Sequence, residues 1–211
     1  MNLEHYFERP IHEVARDLLG RELVRSVGGE RLRARIVEVE VYEGENDAAS
    51  HARRGTPTER TKPMFAAPGT VYVYTIYGMY QCLNLRAPSE VGPGAVLIRA
   101  CEPLEGQAYM AVRRSLVESA GNYVGGPEVD KQLMSGPGKL CQALSIDTEL
   151  SGTMVGDKLQ LKQGQPVWRD APQRVESTAR IGLNPDTCGP SAKWPWRYII
   201  ADSPWISCGA G

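Results

Sequence analysis

Apolar and polar positions alternate along residues 21–42 of this chain. Arg21–Val27 and Arg31–Tyr42 read as two strands around Gly28-Gly29, a hairpin signal. In the second strand the even positions run Leu32, Ala34, Ile36, then Glu38, Glu40 and Tyr42. Side chains in a strand switch faces at every residue. Unless a bulge shifts the register, one face therefore passes from apolar core into two carboxylates and a phenol. Carboxylates are rarely placed beside a core without a partner or a task.

Upstream, Pro10–Gly20 predicts a short helix with Val14, Leu18 and Leu19 on one face, proline in its first turn and glycine at its end. Residues 44–70 lack periodicity and are rich in Gly, Pro, Thr and charge; a loop of that length is usually functional or disordered. Residues 71–85 then read Val-Tyr-Val-Tyr-Thr-Ile-Tyr-Gly-Met-Tyr-Gln-Cys-Leu-Asn-Leu. This is a β-ribbon doubling back at Gly78, with a bulky apolar and aromatic tip. Ala95–Ala100 predicts a strand and Glu102–Leu116 a helix despite Gly106. A polar, Gly-rich connection follows over 119–127, and Gly136-Pro-Gly-Lys reads as a loop opening a helix. Lys158–Leu161, Thr178–Leu183 and Trp196–Ala201 predict further short strands. Strands and helices do not strictly alternate, so the expected class is mixed α/β of the α+β type, in one domain spanning residues 1–211.

Composition narrows the function. At 211 residues, 42 % hydrophobic and 23 % charged, the chain has the make-up of an ordinary globular protein. No apolar run is long enough to span a bilayer. The N-terminus lacks the basic start and apolar core of a secretory signal. The five cysteines, Cys82, Cys101, Cys141, Cys188 and Cys208, are odd in number and include no C-x-x-C pair. That argues against a disulfide framework, a zinc site and an iron–sulfur cluster, and favours a reducing compartment. The net charge is −1, but residues 52–99 carry Arg53, Arg54, Arg60, Lys62, Arg86 and Arg99 against only Glu59 and Glu90. A local basic face on an acidic body is compatible with a polyanion partner.

Four features carry candidate chemistry. Glu38, Glu40 and Tyr42 suit a general base or a carboxylate that stabilises oxocarbenium-like charge; alternatively, the carboxylates pair with Arg33 or Arg35 across a hairpin. His51, in Ala-Ser-His-Ala-Arg-Arg-Gly, can contact phosphate or stack on a base, or be a plain loop histidine. The tyrosine ribbon can stack on bases or push an apolar wedge into a duplex. Cross-strand packing accounts for Tyr72 and Tyr74, but poorly for Tyr77 and Met79, because a turn is normally polar. Gly136-Pro-Gly-Lys139 offers helix-start amides and a cation to an anion. It is no Walker A loop, and a simple Gly-Pro turn before a helix is the alternative.

Several longer strings then meet a known family. They are Ile36-Val-Glu-Val-Glu-Val-Tyr-Glu-Gly, Ala49-Ser-His, Pro63-Met-Phe, and Pro68-Gly-Thr through Asn84. Val96-Leu-Ile-Arg-Ala-Cys-Glu-Pro-Leu-Glu-Gly, Ser135-Gly-Pro-Gly-Lys-Leu-Cys-Gln-Ala-Leu, Ala179-Arg-Ile-Gly and Ser203-Pro-Trp complete the set. Together they closely resemble the 3-methyladenine (alkyladenine, methylpurine) DNA glycosylase family, over nearly the whole chain. The resemblance implies a curved antiparallel sheet with a β-hairpin that enters the minor groove. It implies hydrolytic removal of alkylated or deaminated purines from DNA, with no metal, no cofactor and no lyase step. Glu40 then activates the attacking water and Arg99 helps hold it. Tyr42, His51 and Tyr74 wall the flipped base, and Asn84 obstructs the 2-amino group of normal guanine. Tyr77, with Met79 beside it, fills the gap in the duplex. Arg53, Arg54, Gly138 and Lys139 are candidate phosphate contacts, and Glu38 has no clear assignment. The Pro88–Gly94 turn looks longer than its counterparts and lies close to Asn84 at the pocket rim.

The expected function is a monofunctional glycosylase acting as a monomer on double-stranded DNA with damaged purines. A bacterial-type protein is expected from length, and a cytoplasmic one from the N-terminus and the cysteines. A non-catalytic binder of damaged or bent DNA would use the same ribbon without needing a buried carboxylate. A lyase using Lys139 as amine nucleophile, and a purine-nucleoside hydrolase, fit less of the chain.

Overall fold

The computed structural model describes residues 5–164 and 175–207; Cys208 lies outside them. One helix, α1 (Ile11–Leu18), precedes strands β1 (Glu22–Val27), β2 (Glu30–Tyr42), β3 (Val71–Ile76), β4 (Tyr80–Ser89) and β5 (Gly92–Glu105). Helices α2 (Gln107–Arg113), α3 (Pro127–Met134) and α4 (Pro137–Ala143) follow, then β6 (Gln160–Lys162), β7 (Val175–Thr178), α5 (Pro185–Cys188) and β8 (Arg197–Ile200). All eight strands join one sheet in the order β3-β4-β5-β2-β1-β6, every pairing antiparallel. Strand β8 pairs with both β2 and β7. The α+β expectation holds. Among the described residues no helix is long and apolar enough to cross a membrane.

The sheet has two working faces. Val71 and Val73 of β3, Leu83 and Leu85 of β4, and Val96 and Ile98 of β5 enter the main core. There they meet Ile11, Val14 and Leu18 of α1, Met110 of α2, Leu133 of α3 and Leu140 of α4. The intervening residues Tyr72, Tyr74, Asn84 and Ala95 line a recess on the other face. The strict alternation of the ribbon sequence is thus the alternation between core and recess.

Strand β2 breaks that alternation at one point. Leu32, Ala34 and Ile36 lie in the main core, but so do Val37, Val39 and Val41. Its pairing with β5 shifts between Ile36 and Glu38, and again between Glu38 and Val39. Val37 is the extra residue on β2 and Arg99 the extra residue on β5. A bulge of one residue exchanges the faces of everything beyond it. Glu38, Glu40 and Tyr42 therefore stand on the face opposite Leu32, Ala34 and Ile36, not in line with them.

Three elements differ from the sequence reading. Glu102–Glu105 extends β5 and is not helix: Arg35 Nη1 donates to Glu102 at 2.7 Å and Arg33 Nη1 to Glu105 at 3.2 Å across the strands. Cross-strand pairing overrides local preference there. Gly106, at φ 86°, then turns the chain into α2 where a Cβ would meet Leu32 at 2.5 Å. Thr178–Leu183 is strand only at Thr178, the last residue of β7. The Pro88–Gly94 segment is a tight two-residue hairpin, with Ser89 paired to Gly92. Its Val91 carbonyl packs against Gly44, and it lines neither the recess nor the neighbouring groove.

Candidate active site

Glu40 is fully buried and held from three directions. The Tyr42 hydroxyl donates to Oε2 at 2.8 Å, the backbone N–H of Ile181 donates to Oε1 at 2.7 Å, and Arg99 Nη1 lies 3.4 Å from Oε1. Burial pushes the Glu40 pKa up, against the opposing pull of Arg99, the Ile181 amide and Tyr42. Burial and the adjacent carboxylate likewise push the Tyr42 phenol well up, so the phenol stays protonated and donates.

Glu38, also fully buried, anchors two guanidiniums. Its Oε1 accepts from Arg99 Nε at 3.0 Å, Arg197 Nε at 2.6 Å and Ser207 Oγ at 2.8 Å; its Oε2 accepts from the Ser207 amide at 2.6 Å. The bulge at Arg99 brings one guanidinium onto both Glu38 and Glu40. Burial works against the Arg99 charge, but Glu40 and Glu38 outweigh it and hold its pKa above the ordinary arginine value. Pairing of these carboxylates with Arg33 or Arg35 does not occur: Arg33 bonds Glu22 and Glu105, and Arg35 bonds Glu102.

The recess beside this carboxylate has aromatic walls. Tyr42, His51, Tyr72, Tyr74 and Asn84 line it, together with Met64 and Ala95. His51 Nδ1 shares a 2.9 Å hydrogen bond with the Tyr72 hydroxyl, and its ring stands edge-on to Tyr74 at 4.6 Å. The enclosing protein, then Arg60 and Arg53, push the His51 pKa down to about 4, so the imidazole is neutral at physiological pH. Tyr72 is thus part of the site and not only sheet packing. Asn84 Nδ2 donates to the carbonyls of Tyr72 at 3.2 Å and Cys82 at 3.1 Å, which fixes the amide plane.

The recess opens into a groove of about 540 Å³. Tyr42, His51, Tyr74, Tyr77, Tyr80, Arg99, Gly138, Lys139 and Ile181 are among its lining residues. Tyr77 and Gly78 both take positive φ, 53° and 71°, as a primed hairpin turn requires. This lifts the tip clear of the body: Tyr77 is 81 % and Met79 65 % exposed. Tyr80, left without a role by the sequence, packs on the Gly138 backbone, where an added Cβ would meet its ring at 3.0 Å. Arg54 is exposed, and so is Arg53, whose Nη1 donates to the Ala48 carbonyl. Among the described residues no group of His, Cys, Asp or Glu is placed to hold a metal ion.

Sequence reasoning missed four contributors: Arg197, Ser207, Asp47 and Arg180. Asp47 is buried with Arg180 in a bidentate ion pair that ties the loop carrying His51 to the turn carrying Ile181. The motif Ala179-Arg-Ile-Gly was the one available signal for Arg180.

Comparison with known proteins identifies the family. Residues 5–204 match the family model described as Methylpurine-DNA glycosylase (MPG). The chain is 43 % identical over 206 residues to a Methanocella arvoryzae protein named "Putative 3-methyladenine DNA glycosylase", covering 96 % of this chain and 93 % of that one. It is 44 % identical over 215 residues to the DNA-3-methyladenine glycosylase of Mus musculus, covering 96 % of this chain and 60 % of the mouse protein. With the Homo sapiens protein of the same name the identity is 41 % over 212 residues, covering 96 % of this chain and 66 % of the human one. The chain belongs to the methylpurine-DNA glycosylase family.

Proposed function

We propose that this protein is a monofunctional DNA repair glycosylase. It holds a damaged purine outside the duplex and cleaves its N-glycosidic bond with water activated by Glu40. One juxtaposition carries the reading: a solvent-exposed apolar tip at Tyr77 and Met79 stands on the ribbon whose Tyr74 and Asn84 line a recess, and Tyr42 of the same recess bonds buried Glu40 through its hydroxyl. An exposed apolar tip finds its use between base steps, where it fills the gap left by an extruded nucleotide. Tyr42, His51 and Tyr74 offer ring faces to the extruded base, which favour a cationic alkylated purine.

Glu40 Oε2 keeps a lone pair beyond the one used by Tyr42. A water there gives its proton to the carboxylate as its oxygen bonds to the anomeric carbon. The carbon–nitrogen bond breaks, and its electron pair leaves with the purine. The ionised carboxylate also stabilises the positive charge that grows on the sugar. Arg99 favours the ionised form of Glu40 against the effect of burial and helps hold it in place. The route needs no amine nucleophile, and hence no lyase step. Arg53, Arg54, Gly138 and Lys139 flank the groove and its adjoining loop as phosphate contacts. One chain supplies wedge, recess and carboxylate, so the enzyme works as a monomer.

The test is chromatography of free base from duplexes carrying 3-methyladenine, 7-methylguanine, hypoxanthine or ethenoadenine. Release of at least one base at a protein-dependent rate is expected. Tight lesion binding with no released base from any of them would leave a non-catalytic DNA-damage binder instead.

A further inference from the structure

Arg180 and Asp47 form a fully buried ion pair that touches neither the wedge nor Glu40 directly. The guanidinium is bidentate, Nη1 to Oδ2 at 2.5 Å and Nη2 to Oδ1 at 2.8 Å. It also donates to the carbonyls of Val41 and Ser191, both at 2.8 Å. Neither residue lines the recess or the groove. Yet the Arg180 guanidinium lies 4.7 Å from the centroid of the Tyr42 ring, and Tyr42 lines both spaces. Tyr42 therefore has a cation behind it and the base-binding space in front.

A brace alone does not need charge: an apolar pair of similar volume often holds a fold as well. The position behind Tyr42 supplies a reason for the charge to be a balanced one. An aromatic face attracts a cation through its quadrupole. A bare guanidinium on the back of the ring would repel a cationic base on its front, and low local dielectric lets that repulsion act across the ring. Asp47 places both carboxylate oxygens on the guanidinium and cancels most of that field.

We propose that Asp47 is a specificity-determining residue: by neutralising Arg180 behind Tyr42, it keeps the recess favourable to cationic purines. This rests on the glycosylase reading above. Neutral purines sense the balance of the pair much less, because they carry no net charge for it to act on.

The experiment measures affinity for duplexes with one 7-methylguanine (cationic) or one hypoxanthine (neutral), in a Glu40→Gln background so that the base stays attached. Adding Asp47→Asn preserves shape but leaves Arg180 uncompensated. The 7-methylguanine to hypoxanthine affinity ratio then falls about fivefold. Adding Arg180→Gln instead leaves Asp47 uncompensated, and the ratio rises. A purely structural brace would weaken both duplexes together, so an unmoved ratio in both variants overturns the inference. Should one variant fail to fold, the other decides alone by the direction of its ratio. Base release by the wild type, run in parallel, separates the two readings. No release from any lesion overturns the glycosylase reading and this inference with it; release with unmoved ratios overturns the inference alone.

Discussion

The backbone N–H of Ile181 donates to Glu40 at 2.7 Å, joining residues 141 positions apart in the chain. A main-chain donor has no side-chain freedom, so it sets the carboxylate rotamer as firmly as its own segment is held. That segment is held by Arg180, one residue earlier, through Asp47, Val41 and Ser191. The geometry of this β2 carboxylate is therefore decided by a turn after β7.

Replacement of Glu40 by Gln should lower base release by about 10²–10⁴-fold while lesion binding persists. Single-turnover release beside duplex affinity measures both, and release at the wild-type rate would remove Glu40 from the mechanism. The same variant tests stability. A carboxylate whose pKa is higher folded than unfolded binds protons more tightly in the native state. Wild-type stability should therefore rise as the pH is lowered from above the folded Glu40 pKa toward about 4.5. The wild type should gain on Glu40→Gln across that window in paired thermal melts, and parallel pH profiles would contradict the assigned shift.

Tyr77→Ala should leave the melting temperature nearly unchanged, because Tyr77 is 81 % exposed and surface substitutions stay within about 0.5 kcal/mol. Affinity for lesion duplex should fall by about 1–3 kcal/mol, the range for lost base stacking. Fluorescence anisotropy on one labelled duplex reads it out, and unchanged affinity would end the wedge assignment.

Glu38→Ala should be among the more destabilising single changes in the protein. It strands Arg99, Arg197 and the Ser207 amide in a buried setting, and breaking such a network costs about 3–5 kcal/mol. Glu38→Gln keeps an acceptor and should retain more stability, yet lose turnover through a displaced Arg99. Urea unfolding ranks the variants; a Glu38→Ala midpoint equal to wild type would show that Glu38 anchors nothing.

His51 should not titrate as an ordinary histidine. Its pKa of about 4 lies below the 6.5 of an unfolded histidine. The unfolded chain thus binds the extra proton first, and the contribution of His51 to stability, complete above pH 6.5, is lost as the pH falls toward 4. Ring-proton NMR across pH 4–8 follows it directly. A midpoint near 6.5 would mean that the imidazole is not held between Tyr72 and Tyr74 as described.

Much of the sheet and part of the site are legible without coordinates. Alternation at Val71, Tyr72, Val73 and Tyr74 is local information, because a strand assigns faces two residues at a time. An apolar turn at Tyr77-Gly78-Met79 stands out against the polar norm. Glu102–Glu105 was misread because its deciding partners, Arg33 and Arg35, belong to another strand.

By itself the sequence determined the ribbon, its aromatic tip, the α+β class and the row of acidic residues on β2. It also carried the family strings that single out Glu40, Arg99, Tyr42, His51 and Asn84. Tertiary structure alone decided which way those side chains face. The irregularities at Val37 and Arg99 exchange the faces of β2 and place one arginine on two carboxylates. It also decided what holds them, since Glu38 with Arg197 and Ser207, Arg180 with Asp47, and Ile181 with Glu40 are each more than 100 positions apart. Faces follow from register, and register follows from how whole strands pair, so a one-residue shift is a property of the assembled sheet rather than of any local pattern.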